Sequence, residues 1–547
     1  MASSPQASSH GEVSFSHREG SVWTHDSEPL PQLSIAQYCQ QYGVNPDSGE
    51  PYRLTGYEYL TGILDSLAPR IVLMKAAQVG ATVMAMLRTL WFLEAKQKSC
   101  MYLFPTHRSA ARFRQGRFSV MVQRSPFFRS AVRPTGAPGQ LRVGMAQFYC
   151  HGARSRVELM SSPVAYLTLD ERDELYRAAG LENTPWSAVD LARQRLSGQP
   201  ESWELSLSTP TIPGYGIAAE FARSWVFHFE VKCPHCQRPV TPSWPAGVAG
   251  IEGPWQRACF CCPHCRALWT HIARRQIIAR GLWRSPVPAS PGQAEGYHLS
   301  QLLSPVARAS RLVQQWQEAQ GDPAALQIFH NAVLGLPYLA EGARLAAATL
   351  EAAIARSEGR KMAATARFTA AGIDVGPRLL HIVITQKQQQ QCHILWAGVV
   401  LDWQALRQVL ETYGVVSYVV DAQPETHEAR RLVHECPGGW MCYYRSDAQA
   451  QPVYDGTQHI LRVPRSESLD ALYRAWNTGR VVAPVDLPGE FAAQLQSPAR
   501  VVRQARRGMP QVEYLESAGP DHYAHAMNYS LLALGLLTSS PQMQIFV

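Results

Sequence analysis

The sequence predicts a mixed α/β protein with two successive α/β regions and a small cysteine-rich module set between them. Three observations carry that prediction. An apolar run passes through one lysine into a small-residue loop and a helix-like stretch in "RIVLMKAAQVGAT", residues 70–82. Past residue 366 a second series of strand-like runs begins, "FTAAGIDVG", "LLHIVITQ" and "CHILWAGVVL". Between the two, "CPHC" occurs twice, at 233–236 and 262–265. A chain of 547 residues exceeds what one hydrophobic core usually supports, so a division of this kind is expected.

Taken in order, residues 1–48 are polar and expected to be loosely ordered until docked on a partner. They lack the apolar stretch of a signal peptide, so no export is expected. Residues 49–226 form the first α/β region and 227–290 the cysteine module. Residues 291–365 carry apolar positions at helical spacing and end in the small, polar stretch "RSEGRKMAATAR", read as a linker. Residues 366–530 form the second α/β region, with a helix starting at Asp402 and a further strand in "VVSYVVD". Residues 531–547 are a tail. Its continuous apolar run, "LLALGLL", is too short to span a bilayer.

The formal charge is +8, and arginine far outnumbers lysine, which favours forked contacts to phosphate. From His107 to Arg156 there are ten arginines (108, 112, 114, 117, 124, 129, 133, 142, 154 and 156) and no acid. Such a stretch attracts a nucleic-acid backbone, although a solvated surface would have the same composition.

Laid over the phosphate-binding pattern GxxxxGK[ST], Lys75 takes the place of the first glycine, Gly80 is the second, Ala81 replaces the lysine and Thr82 keeps the hydroxyl. The loop, Gln78 included, is intact, but its lysine has moved to the start, from which a side chain still reaches the phosphates. "SSPVAYLTLDERDEL" supplies a strand ending in Asp170 and Glu171, placed to support Mg²⁺ and to orient an attacking water. "ELSLSTPT" supplies another, ending at Ser208 and Thr209. Strand ends gather at one edge of a parallel sheet, so all three can face one ATP. This is the layout of an ASCE-type P-loop ATPase.

Paired Cys-x-x-Cys knuckles close a tetrahedral thiolate shell around Zn²⁺, which selects Cys233, Cys236, Cys262 and Cys265, with Cys259 or Cys261 as substitutes. Four protein ligands make the zinc structural. In the last region Asp374 lies inside a strand, Asp421 ends a later one, and Asp521 opens a helical run that places His525 and Asn528 on its face. That order is the layout of an RNase H-like nuclease, whose acids hold two divalent metals, Mg²⁺ or Mn²⁺. Glu425 and His427 are nearby alternatives.

These residues together resemble the large terminase subunit of tailed bacteriophages, in the lambda-like branch. "KAAQVGAT", "LDERDE", the "CPHC" insertion and the run from "GYHLSQLLSPVARAS" to "FHNAVLGLPY" look like that family's landmarks in the same order, over residues 50–530. The resemblance implies a P-loop ATPase with a zinc-binding insertion followed by an RNase H-like nuclease, a motor that packages double-stranded viral DNA and an endonuclease that cuts concatemers. It assigns Lys75 and Thr82 to the nucleotide and its Mg²⁺, Asp170 to the metal, Glu171 to the water, and Ser208 and Thr209 to coupling hydrolysis with motion. Asp374, Asp421 and Asp521 become the nuclease ligands. The implied partners are a small terminase subunit at the N-terminus, the portal protein of a procapsid at the C-terminus, and further copies in a ring on the portal, all in the host cytoplasm. One departure stands out: the family's last motif often shows paired acids, and here His522 follows Asp521. Two other readings fit parts of the chain. A repair-type helicase with an accessory nuclease is one, and a zinc-stabilised DNA-binding scaffold with a decayed loop is the other.

Overall fold

The computed structural model describes residues 33–137, 139–153, 156–160, 162–177, 187–288, 290, 292–357, 369–445, 452–504, 510–516 and 519–538. At its start, the helix Ile35–Tyr42 is closed by a capping box between Ser34 and Gln37 and buries Ile35, Ala36, Tyr38 and Cys39. This piece of the polar N-terminal segment is therefore packed, contrary to the expectation for residues 1–48. Residues 1–32 lie outside the described residues.

The first sheet is built from β1 (Arg70–Lys75), β2 (Cys100–Phe104), β3 (Val132–Pro134), β4 (Gln140–Val143), β5 (Ala146–Gly152), β6 (Tyr166–Asp170), β7 (Trp203–Ser208) and β8 (Trp225–Lys232). After β8 come the short β9 (Pro239–Val240), β10 (Val248–Ala249), β11 (Cys259–Cys261) and β12 (Leu268–Trp269), then β13 (Leu282–Arg284) and β14 (Glu295–Leu299). The order across the sheet is β13-β8-β14-β1-β7-β6-β2-β5-β4-β3. Its centre is parallel, and β2, β6 and β7 are buried at every position, as continuous apolar runs covered on both faces must be. Lys75, Asp170 and Ser208 thus end neighbouring strands at one edge. Strands β8, β13 and β14 lie in this sheet although composition placed them beyond residue 226. The cysteine module, with its own small sheet β10-β11-β12, loops out between β8 and β13.

The helical stretch after β14 also belongs to this half, since Leu312, Val313, Phe329, Val333 and Leu334 join the first core. It touches the phosphate-binding loop directly. Ala76 N–H donates to the Leu299 carbonyl at 2.6 Å, and Ala77 N–H to that of Ala332 at 2.8 Å. Gly335, at φ +67°, lies so close that a Cβ there would sit 2.6 Å from the Ala76 nitrogen. Only glycine combines that backbone conformation with that approach.

The second sheet comprises β15 (Thr369–Val375), β16 (Leu380–Gln388), β17 (Gln391–Val400), β18 (Ser417–Asp421), β19 (Gly439–Arg445), β20 (Val453–Asp455), β21 (Ile460–Pro464) and β22 (Val481–Val482). Strands β15 to β17 are antiparallel, while β18 runs parallel to β15 and β19 to β18. Helices cover both faces. Trp403–Thr412, capped by Asp402, and Thr426–Glu435 cover one, and Arg465–Asn477 and His522–Thr538 cover the other. The period-2 alternation of β15 sends Ala371, Ile373 and Val375 to the first face and Ala370, Gly372 and Asp374 to the second. Gly372 has a positional reason: a Cβ there would run into Ala526 O and Ser530 N, so its absence lets the helix His522–Thr538 lie directly on the strand beside Asp374.

Two further contacts organise the whole. The helix Ala347–Ala355 packs on the second core through Leu350 and Ala353, and Arg356 donates to the Val481 carbonyl at 2.9 Å. A hairpin, β23 (Pro498–Gln504) with β24 (Pro510–Glu516), brings Ala499, Val501 and Leu515 against Ile212, Tyr215 and Leu339 of the first half.

Candidate functional sites

A cavity of about 540 Å³ opens at the C-terminal edge of the first sheet, within the size range of small-molecule pockets. Lys75, Gln78, Gly80 and Thr82 line it, together with Tyr57, Leu60 and Arg117. Gln78 (φ 57°) and Gly80 (φ 79°) adopt left-handed conformations that turn the loop into the helix Ala81–Glu94. The first N–H groups of that helix have no intrahelical partners and its dipole favours an anion. The wall built from residues 45–60 was missed in the sequence, having no motif of its own.

Asp170 is buried and accepts a 2.9 Å hydrogen bond from Tyr102 Oη. Burial pushes its carboxyl up while Lys75 pulls it back. Glu171 is held at φ 55°, a strained conformation for a non-glycine residue. Desolvation beside the buried Asp170, then the Asp170 and Glu174 charges, raise its carboxyl while Lys75 pulls it back, a direction that suits a proton acceptor. The next two residues anchor it. Arg172 pairs with Glu220 at 2.9 Å inside a buried cluster that adds Arg70, Arg193 and Glu204. Asp173 accepts from Thr211 Oγ1 at 2.8 Å and Ile217 N–H at 2.7 Å. Ser208 accepts from Asp173 N–H at 3.2 Å, tying the third strand end to this turn, and Thr209 is half-buried beside it. Neither Arg172 nor Asp173 stood out in the sequence, because their partners are far along the chain.

Of the arginines after His107, those at 108, 112, 124, 129, 133 and 142 are exposed and form a basic surface. Arg117 instead lines the cavity mouth and pairs with Asp47 at 2.9 Å in a solvent-exposed contact. The side chains of Arg154 and Arg156 lie outside the described residues.

The cysteine module brings Cys233, Cys236, Cys262 and Cys265 together with their sulfurs within 4.8 Å of one another. The two knuckles repeat one local design. Gln237 N–H returns to Cys233 O and Arg266 N–H to Cys262 O, with both Gln237 and Arg266 left-handed. Although burial works to raise it, the N–H groups of Cys236 and His235 bring the Cys233 thiol down to about 7, within reach of a thiolate ligand. The donor set suits a tetrahedral cation. Cys259 is exposed and Cys261 points to the Ala246 carbonyl, so neither belongs to the cluster.

In the second half Asp374 sits on β15 and Asp421 at the end of the adjacent parallel β18. Burial and then the Asp374 charge push Asp421 up to about 7, the behaviour of packed carboxylates that suit a cation between them. Asp421 also accepts from Tyr529 Oη at 3.2 Å. Asp521 is engaged elsewhere, 3.0 Å from His525 Nε2 and 3.9 Å from Arg465. Those two cations outweigh its burial and hold the carboxyl low. The residue placed against Asp374 is His522, with Nδ1 2.8 Å from Oδ2, and its ring stacks on His381 at 4.4 Å. Asp374, His381 and His522 present donor atoms within 4.8 Å of one another. His381 was missed in the sequence. Its signal was register, since a short turn after Asp374 makes the two residues direct cross-strand partners. Glu425 and His427 are exposed at the start of the helix Thr426–Glu435. Asn528 donates to Tyr444 Oη and Ser468 Oγ.

The fold and these sites define a two-part protein, a P-loop sheet of the ATPase type joined to a carboxylate-bearing sheet of the nuclease type. The family model described as "Phage terminase large subunit gpA, ATPase domain" matches residues 50–283, and "Terminase large subunit gpA, endonuclease domain" matches residues 294–442. The chain belongs to the family of phage large terminase subunits. It is 22% identical over 347 residues to "Terminase, large subunit" of Enterobacteria phage P21, an alignment covering 56% of this chain and 53% of that protein, so the match spans about half of that relative's length. Among solved structures, the large terminase of bacteriophage HK97 is 12% identical with a TM-score of 0.48, covering 91% of this chain and 98% of that one. The ATPase domain of the large terminase of Thermus phage P74-26 is 17% identical with a TM-score of 0.31, covering 53% and 98%.

Proposed function

We propose that this chain is a DNA-packaging motor with its own endonuclease: ATP hydrolysis in the first half drives double-stranded DNA into a procapsid, and the second half cuts the concatemer. The observation that carries the reading is the presence of two chemically distinct sites in one chain, the Lys75 loop cavity with Asp170 and Glu171 at a nearby strand end, and the Asp374–Asp421 cluster, on separate sheets.

In the first site Lys75 and the loop N–H groups bind the phosphates, Thr82 and Asp170 hold the Mg²⁺ that accompanies ATP, and Glu171 takes the proton of the attacking water. Ser208 and Thr209 pass the result to the loop beyond them. In the second, Asp374 and Asp421 hold divalent cations, which when bound activate water and stabilise the leaving oxygen. The basic surface after His107 meets the DNA backbone. The cysteine cluster holds one structural Zn²⁺. Residues 1–48 receive a small terminase subunit and residues 531–547, whose first part is the packed end of the helix His522–Thr538, the portal, on which copies assemble as a ring. Among the described residues no helix is long and apolar enough to cross a membrane.

The two sites are tested on the purified full chain by paired variants. Lys75→Ala should abolish ATP hydrolysis and spare nicking of plasmid DNA with Mn²⁺ or Mg²⁺. Asp374→Ala should do the reverse. Near-normal turnover by the first, or cutting by the second at the parent's rate, overturns the corresponding half of the reading.

A further inference from the structure

Two histidines stand where an all-oxygen metal site would be expected to place acids. His381 is 6% exposed, and its Nδ1 has no hydrogen-bond partner among the described residues. A buried polar atom left unpaired beside a carboxylate is costly unless something occupies the space next to it. His522, from a different element, brings its own Nδ1 to 2.8 Å from Asp374 Oδ2, roughly the separation of two neighbouring donors on one small cation. The stacked rings of His381 and His522 fix both imidazoles on the same side of that carboxylate. Meanwhile Asp521, the acid expected to serve as third ligand, has its Oδ2 against His525 and Arg465.

We infer that Asp374, His381 and His522 form one mixed nitrogen–oxygen metal site, and that these imidazoles make it prefer Mn²⁺ and the later first-row divalent ions to Mg²⁺. The inference rests on the nuclease reading and deepens it. Mg²⁺ favours oxygen ligands, whereas imidazole suits the transition metals, so replacing carboxylates with two ring nitrogens shifts selectivity without changing the fold. Asp521 then acts as a positioning residue, holding His525 on the helix that delivers His522.

The test is Mn²⁺ binding to the full-length protein, followed by pulsed electron paramagnetic resonance, which reads nitrogen nuclei coordinated to the ion. The parent should bind Mn²⁺ at a site lost in Asp374→Ala, show imidazole nitrogen modulation, and prefer Mn²⁺ to Mg²⁺ by about tenfold or more. His522→Gln, at a half-exposed position where folding is least at risk, should remove part of the modulation and most of the preference, and His381→Ala should act likewise. Binding that depends on Asp374 but shows no nitrogen modulation overturns this inference and leaves the nuclease reading standing. Absence of any Asp374-dependent binding, together with DNA cleavage unaffected by Asp374→Ala, overturns both.

Discussion

Glu171, the proposed proton acceptor, shows how much of a side chain's behaviour is set by its neighbours. Its carboxylate is aimed by a left-handed backbone, and that backbone is held because Arg172 and Asp173 are locked into buried partners on either side. Glu171→Gln should therefore fold and bind ATP like the parent while hydrolysis falls by two or more orders of magnitude, measured by nucleotide binding alongside steady-state turnover. Beneath it, Arg172, Arg193 and Arg70 overcome the burial of Glu220 and hold its carboxyl down at about 2. A carboxyl depressed from its ordinary 4.5 contributes stability that is fully present above about pH 4.5 and is lost as the pH falls toward 2, here on the order of 3 kcal/mol. Denaturant titrations of Glu220→Gln should show that deficit near neutral pH, and the gap to the parent should close in acid.

The elements of the first site could be read from sequence because each is contiguous: a strand, a loop and a helix start for Lys75 to Thr82, and a strand end for Asp170 and Glu171. The pairing of the two Cys-x-x-Cys knuckles was legible for the same reason. The features that could not be read depend on one element lying on another. His381 joins the second site through strand register, His522 through the close crossing of its helix over Gly372, and the cavity wall at residues 45–60 through a segment with no chemical signature. The same dependence gives a test at this scale. Gly372→Ala would force the helix His522–Thr538 away from β15, at a cost of about 1–3 kcal/mol, and should weaken divalent-metal binding at Asp374 while ATP hydrolysis stays at the parent's rate. Calorimetric titration with Mn²⁺ and a thermal melt on the same sample separate the two effects.

Across the whole molecule the cores divide at a different place from the composition. The polar stretch at 356–367 looked like the boundary, but Leu345, Leu350 and Ala353 lie in the second core, so the helix before that stretch belongs to the second half. Composition reports how well solvated a segment is, and the partner a helix packs against is a separate matter. A fragment beginning at Arg344 should consequently unfold cooperatively and at higher denaturant than one beginning at Thr369, which exposes the surface Leu350 and Ala353 would cover.

The bonds from Ala76 and Ala77 to Leu299 and Ala332 carry a mechanical implication. The loop cannot tighten around a triphosphate without tugging on the chain bonded to it. That chain runs from Gly335 past Tyr338, whose N–H is tied to the Thr211 carbonyl, to Leu339 at the seam with Val501. A loop that closed on a phosphate would therefore shift the chain that ends at the contact between Leu339 and Val501, where the first half leans on the hairpin β23–β24.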